Sequence, residues 1–358
     1  MPTVSDVLNA IEQIAPSRLA FSFDKIGLQV GSPSDEVAEG YVCLDVTPEV
    51  IDRCRPGSVV VAHHPIIWDP IKNLCDKRLL NLARSGASFI ACHTNWDVAQ
   101  GGVNDTLANL LGLENVSPFG VTPESKLVKL VTFVPKPSLD VVIDAISAAG
   151  GGSLGEYERC AYYAEGVGTF EPSLSANPAI GQPGEREHVN EFRMEMLVPN
   201  AAVRTVEAAL RAAHPYEEPA YEFIPLTNRA ELAIGRIGEL QNPISLTEFA
   251  DNMHRILGTA PQVMGDPDQL VQKVAVIGGA AGDEWQSAKQ AGADVYITGE
   301  AKHSTLVDAG FAKFPMILGG HFATEAPAMN ILRARLAEEM SEIEWHVVHP
   351  IQFGGKTW

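Results

Sequence analysis

Apolar and polar positions alternate along this chain in two rhythms. Short apolar runs, "YVCLDV" (41–46), "SVVVAHH" (58–64) and "SFIAC" (88–92), are separated by segments with helical spacing, "TPEVIDRC" (47–54) and "DKRLLNLARSG" (76–86). Unbroken β-branched runs predict strands buried on both faces, and their alternation with helices predicts a mostly parallel sheet. A second series runs from about 231 to the end, with "KVAVIGG", the helix "GDEWQSAKQAG", "DVYITGE", "FPMILGGH" and the helix "AMNILRARLAEEM". At the start, "MPTVSDVLNAIEQIAP" places Thr3 or Ser5 before an amphipathic run, which predicts a capped helix rather than a secretion signal.

Between these series the texture changes. The segment holds "KLVKLVTFVP", a helix "LDVVIDAISAAG", a Gly-, Pro- and Ser-rich hairpin loop over about 166–187, "EFRMEMLVP", a helix "AAVRTVEAALRAA" and "PAYEFIPL". That order is β-α-β-β-α-β, a ferredoxin-like unit complete in itself. The expectation is a split α/β core with mostly parallel sheets, its halves at 1–125 and 231–358, interrupted by an inserted ferredoxin-like α+β domain at 126–230. A chain of 358 residues is long enough for both.

Composition removes some functions. The formal net charge of −19, with no Lys/Arg-rich run, argues against a broad electrostatic grip on nucleic acid. No apolar run approaches membrane-spanning length, so no membrane partner is expected. Five scattered cysteines without a C-x-x-C pair fit reduced thiols in a cytoplasm.

The chemistry concentrates after three strands. His63 and His64 close "SVVVAHH", and Pro65 takes them out of regular strand geometry, where neighbouring side chains point to opposite faces. "HTNWDVAQGGVND" brings His93, Asp97 and Asn104 past "SFIAC", and "GGHFATEAPAMNIL" brings His321 and Glu325 past "FPMIL". Successive strand ends of a parallel sheet lie on one edge, so the three loops are expected in a single crevice. His63, His64, Asp97, His321 and Glu325 form a mixed N/O set that suits Zn, Fe, Mn or Ni. Five ligands exceed one closed tetrahedral site. Two adjacent histidines can serve two divalent ions per chain, with Asp97 as the bridging carboxylate.

Each residue also has a plainer reading. Asp97 and Asn104 can shape a turn, and Glu325 can be a first-turn acid of a helix with Thr324 as N-cap. Glu300 and His303 in "TGEAKHSTL" are candidates for orienting ligands or moving protons. "VIGGAAGDEW" lacks a G-x-G-x-x-G pattern, and His346 and His349 read as edge-strand or surface histidines.

"FDKIGLQVGSP", "CLDVTPEVID", "VAHHPIIW", "HTNWDVAQGGVNDTLANLLGL", "VAVIGGAAGD", "DVYITGEAKH" and "GGHFATE", in this order, closely resemble the Nif-three-like dinuclear metal-binding family of GTP cyclohydrolase 1 type 2 homologues. "AHPYEEPAYEFIPL" resembles the end of the PII/CutA-like domain inserted in the family's long members. The resemblance implies the ligand set His63, His64, Asp97, His321 and Glu325 and a toroidal homohexamer whose sites face an internal cavity. It implies a metal-dependent hydrolase acting on a nucleotide or cyclic amide, with GTP ring opening as the candidate reaction and Glu325, His303 or His93 moving protons. The alternative is a metal-handling or regulatory protein without turnover. Ser304 and Ala280 depart from the family, which often has a histidine and a serine there.

Overall fold

The computed structural model describes residues 1–120, 126–154, 157–229 and 233–349. The chain divides into two compact units, one of Met1–Gly120 with Ala233–Trp358 and one of Val121–Leu232.

The first unit holds two sheets. In one, the strands run in the order Gly27–Val30, Ser88–Ala91, Ser58–Ala62, Glu39–Cys43 and Glu344–Val347. Only the first pair is antiparallel. Its central strand shows why the apolar run is unbroken. Val59 and Val61 pack beneath Val4, Val7 and Ile11 of the N-terminal helix and Met329, Leu332 and Leu336 of the C-terminal helix, while Val60 and Ala62 pack with Leu82 and Phe89 on the other face. Full burial of each such valine contributes about 1.5–3 kcal/mol. The N-terminal helix Val4–Ile14 begins at Thr3, which shares a capping box with Asp6.

The second sheet has the order Gln262–Met264, Met316–Leu318, Val295–Thr298, Leu270–Val276, Gly235–Ser245 and Glu114–Phe119. Its two inner crossovers are parallel and its outer pairings antiparallel, so this sheet is mixed and departs from the expected mostly parallel one. The cause lies in strands that trade halves. Glu114–Phe119 comes from the first half of the chain, and it carries mainly exposed residues, so no apolar run announces it. In the other direction, the chain leaves Met316–Leu318, forms the helices His321–Glu325 and Pro327–Glu339, and ends its described course as an edge strand of the first sheet. The three strand ends expected on one sheet edge therefore belong to two sheets.

The second unit is one antiparallel sheet in the order Ala161–Phe170, Glu187–Pro199, Lys126–Pro135 and Tyr221–Arg229. Helices Leu139–Ala148 and Val203–Ala213 bury Val142, Ile146, Val206 and Leu210 against Leu130, Met194 and Val198. Strand pairing reaches Phe170 with Glu187, so the residues 166–170 expected in the hairpin loop are strand instead. Gly166 and Gly168 read as breakers there, and the strand is exposed over most of its length. Both units close their ends in the same manner: Phe119 pairs with Gly235 in the first, and Lys126 with Arg229 in the second.

Candidate metal centre

Strand ends and short helices bring the flagged residues together. His63 and His64 follow strand Ser58–Ala62, and their amides bond to the carbonyls of Cys43 and Leu44 at 3.0 Å, which prolongs the ladder and fixes both. Asp97 and Glu325 follow their strands on short helices. Helix Thr94–Val98 begins two residues after the strand and carries Asp97, and helix His321–Glu325 carries both of its ligand candidates four residues apart, on one face. Thr324 is not an N-cap: its hydroxyl donates to the Gly320 and His321 carbonyls and accepts from the Gly279 amide at 3.1 Å.

Four imidazoles are oriented from behind. Nδ1 of His63 meets the Cys92 carbonyl at 3.0 Å, that of His64 meets Asp45 at 2.8 Å, that of His93 meets Asp24 at 2.9 Å, and that of His321 faces Glu300 at 3.4 Å. A carbonyl can only accept, so His63 carries its proton on Nδ1 and presents a bare Nε2. This outer ring of oxygen acceptors is how metal-ligating histidines are held. Asp24 and Asp45 were missed as site residues, although both lie in the quoted segments "FDKIG" and "CLDVT"; their only signal was proximity to the histidines in space.

The inner atoms converge. His63 Nε2 lies 3.5 Å from Asp97 and 3.9 Å from Glu325 Oε1, and Glu325 Oε2 lies 3.2 Å from His64 Nε2 and 3.1 Å from His321 Nε2. Three groups are compact enough to hold an ion, each with ligand atoms within 4.8 Å of one another: His63–His64–His93, His64–His321–Glu325 and His63–Asp97–Glu325. Glu325 is shared between two of these groups and Asp97 belongs to one, so the shared carboxylate is Glu325 rather than Asp97. His303 is outside all three, exposed at the first position of helix His303–Phe311. His346 lies on the edge strand, stacked on Tyr41 with ring centroids 5.5 Å apart. His349 is not the surface residue expected: it packs on Phe322, and both its ring nitrogens are buried.

The electrostatics ask for a cation. His63 is fully buried, and burial pushes its pKa down to about 3, so it stays neutral. Its Nε2 is buried without a hydrogen-bond partner, an arrangement that costs free energy unless a Lewis acid occupies the lone pair. Burial and the facing Glu325 push Asp97 well above the usual carboxylate range. Glu325 is pulled below that range, against its own burial, by His321 and His64. Burial opposes a charge on His64 too, yet Asp45 and Glu325 together raise it to about 10. The donor set therefore fits a divalent ion: neutral imidazole, two carboxylates and an orphaned lone pair at one centre.

One glycine leaves room for this geometry. Gly279 has φ +66°, and a Cβ there would stand 2.0 Å from Glu325 Oε1. Asn104 ties the sheets behind the site: it donates to the Asp97 and Ile234 carbonyls and accepts from the Gly278 amide at 2.7 Å.

Fold and site together define an α/β protein whose two sheets meet at a histidine–carboxylate cluster able to hold a metal ion. The comparisons agree. The profile of the Duf34/NIF3 (NGG1p interacting factor 3) family matches residues 2–352, and the chain belongs to that family. A Bacillus subtilis relative named GTP cyclohydrolase 1 type 2 homolog is 36% identical, over 91% of this chain and 90% of its own. A relative of the same name from Mycobacterium tuberculosis is 34% identical over 94% of this chain and 93% of its own. The crystal structure of a Bacillus cereus protein related to NIF3 superposes with a TM-score of 0.66 at 34% identity, covering 98% of both chains. Among the described residues no helix is long and apolar enough to cross a membrane.

Proposed function

We propose that the cluster is a two-ion centre of a metal-dependent hydrolase whose substrate is a nucleotide or a cyclic amide. The observation that carries this reading is Glu325, a buried carboxylate with one oxygen toward His63 and the other toward His64 and His321. Two divalent ions in such a setting activate water at neutral pH and polarise the electrophile. With ions bound, Glu325 would be the carboxylate shared between them, His63 and Asp97 would hold them from the buried side, and His64 and His321 from the side that opens to solvent. His93, with Nδ1 on Asp24 and its ring beside those of His63 and His64, is the better placed proton carrier than His303.

The substrate would enter a cleft of about 470 Å³ lined by Asp45, His64, Glu300, His321 and Phe322. Among the described residues no lysine or arginine lines it, so a phosphate there would have to be held by the ions themselves. That supports a cyclic amide or the base of a nucleotide as the reacting part, and GTP ring opening, the activity in the relatives' name, is the first reaction to try. The same acidic rim supports a second reading, a metal-handling protein whose cluster takes up and releases ions without turnover.

The inserted 121–232 unit is read as a ferredoxin-like domain of the PII/CutA type, on its β-α-β-β-α-β order and its sheet order. The assembly proposed is a toroidal homohexamer in the cytoplasm; exposed Phe311 and Val307 offer apolar surface for it, and light scattering measures it.

The test is elemental analysis followed by a screen of nucleotides and cyclic amides with each metal restored, on wild type and Glu325→Asp. Shortening the shared carboxylate should cost on the order of 10²-fold in rate while metal occupancy falls far less. Fully loaded protein with no turnover on any of these compounds would transfer the case to the metal-handling reading.

A further inference from the structure

The second unit carries a cleft of its own, of about 670 Å³, between the strand-end residues 168–173, the hairpin loop and the Tyr216 turn. Its size is that of a small-molecule site. Phe133, Phe170, Pro178 and Ile180 give it apolar walls, and Tyr216 lines it beside them.

The polar content is one-sided. Glu171, Glu191, Glu217 and Glu218 line the cleft, and among the described residues no lysine or arginine does. Glu171 faces Arg186 at 3.9 Å and Glu217 accepts from the Asn177 amide at 3.1 Å, so these two rim acids have partners of their own. Glu191 differs from them. It is only 9% exposed, it receives one hydrogen bond, from the Tyr216 hydroxyl at 2.6 Å on Oε1, and no cationic side chain pairs with it among the described residues. The neighbouring Arg193 is bonded to Glu195 at 3.0 Å, with its guanidinium 6.0 Å from the Phe133 ring centroid. His214, next to Tyr216, has both ring nitrogens committed, to the Phe133 carbonyl and the Tyr216 amide.

The backbone is cut to admit this carboxylate. A Cβ on Gly168 would lie 2.0 Å from Glu191 Oε2. Gly168 has no left-handed φ, so its backbone would accept any residue; the space for Glu191 is what the glycine provides. An almost buried carboxylate with one neutral donor and no countercharge is costly unless a cation completes it. Aromatic faces beside it favour the same partner, because their quadrupoles attract an ammonium group.

We propose that this cleft binds a small organic cation, an amine with an aromatic or aliphatic body, with its ammonium on Glu191 and its body against Phe133, Phe170 and Ile180. The site lies wholly within the second unit and is independent of the metal cluster. It gives the insertion a ligand, and its readout is binding rather than activity.

The experiment is calorimetric titration of the full-length protein at physiological salt with three matched probes: tryptamine, its neutral alcohol tryptophol and the anion indole-3-acetate. Tryptamine should bind at least about tenfold more tightly than tryptophol, and indole-3-acetate least of all. In Glu191→Gln, which keeps shape and removes charge, tryptamine and tryptophol should bind alike. Intermolecular NOEs on wild type should place the indole on Phe133, Phe170 and Ile180, a result that stands even if the variant does not fold. Equal binding of the three probes to wild type, no tryptamine binding below about 1 mM, or a tryptamine preference that survives Glu191→Gln would overturn the assignment. The last outcome would mean only general attraction to an acidic chain.

Discussion

Nε2 of His63 is buried without a hydrogen-bond partner and points at two carboxylates, Asp97 at 3.5 Å and Glu325 at 3.9 Å. Replacing His64 or His321 by Ala should therefore lower metal content by more than the roughly 10–100-fold in affinity that outer-shell changes cost, as read by elemental analysis after dialysis. His346→Ala, on the edge strand, should leave it unchanged. Another histidine sets a pH dependence away from the metal. His214 is buried, and burial lowers its pKa below the ordinary 6.5 despite the Phe133 carbonyl and Glu191. Below pH 6.5 the unfolded chain takes up a proton that the folded chain still refuses, so stability is full above that pH and is lost as pH falls toward the lowered folded value. Amide exchange in strand Lys126–Pro135 of the full chain should accelerate between pH 7 and 5.5, after correction for intrinsic rates. The acceleration should be smaller in His214→Gln.

At the scale of elements, the ligands depend on turns that contribute no ligand themselves. Gly279→Ala would drive a Cβ into Glu325 and strain a left-handed backbone. Metal affinity should fall on the order of 10–100-fold, as for other outer-shell damage, in a protein whose circular dichroism stays that of wild type. The clustered histidines and acids were legible in the sequence because apolar runs mark strand ends, and "VAHHP" and "GGHFATE" follow such runs directly. Their supports were not. Asp24 and Asp45 follow no pattern of their own, and the short helices holding Asp97 and Glu325 are only five residues each, below what periodicity detects. Strand Glu114–Phe119 escaped for lack of burial, and strand Ala161–Phe170 was cut short by glycines, one of which makes room for Glu191.

At the scale of the whole molecule, the insertion begins and ends on paired strands. Phe119 lies opposite Gly235, so a short turn replacing 121–232 would close an ordinary hairpin. The shortened protein should fold and keep its metal; an aggregated product without metal would contradict a split core. The same register gives folding a direction. While the excursion is unfolded, pairing Glu114–Phe119 with Gly235–Ser245 must close a loop on the order of a hundred residues, about 3 kcal/mol harder than a tight turn. Once Lys126 has met Arg229, that entropy is already spent and the edge strand is delivered to its neighbour. The guest domain is thus a folding scaffold for its host. Every tryptophan, at positions 68, 96, 285, 345 and 358, lies outside 121–232, so tryptophan fluorescence follows the host alone. Leu130→Ala, a cavity worth ~2–5 kcal/mol in the guest, should slow the recovery of that fluorescence on refolding, although no host residue has changed.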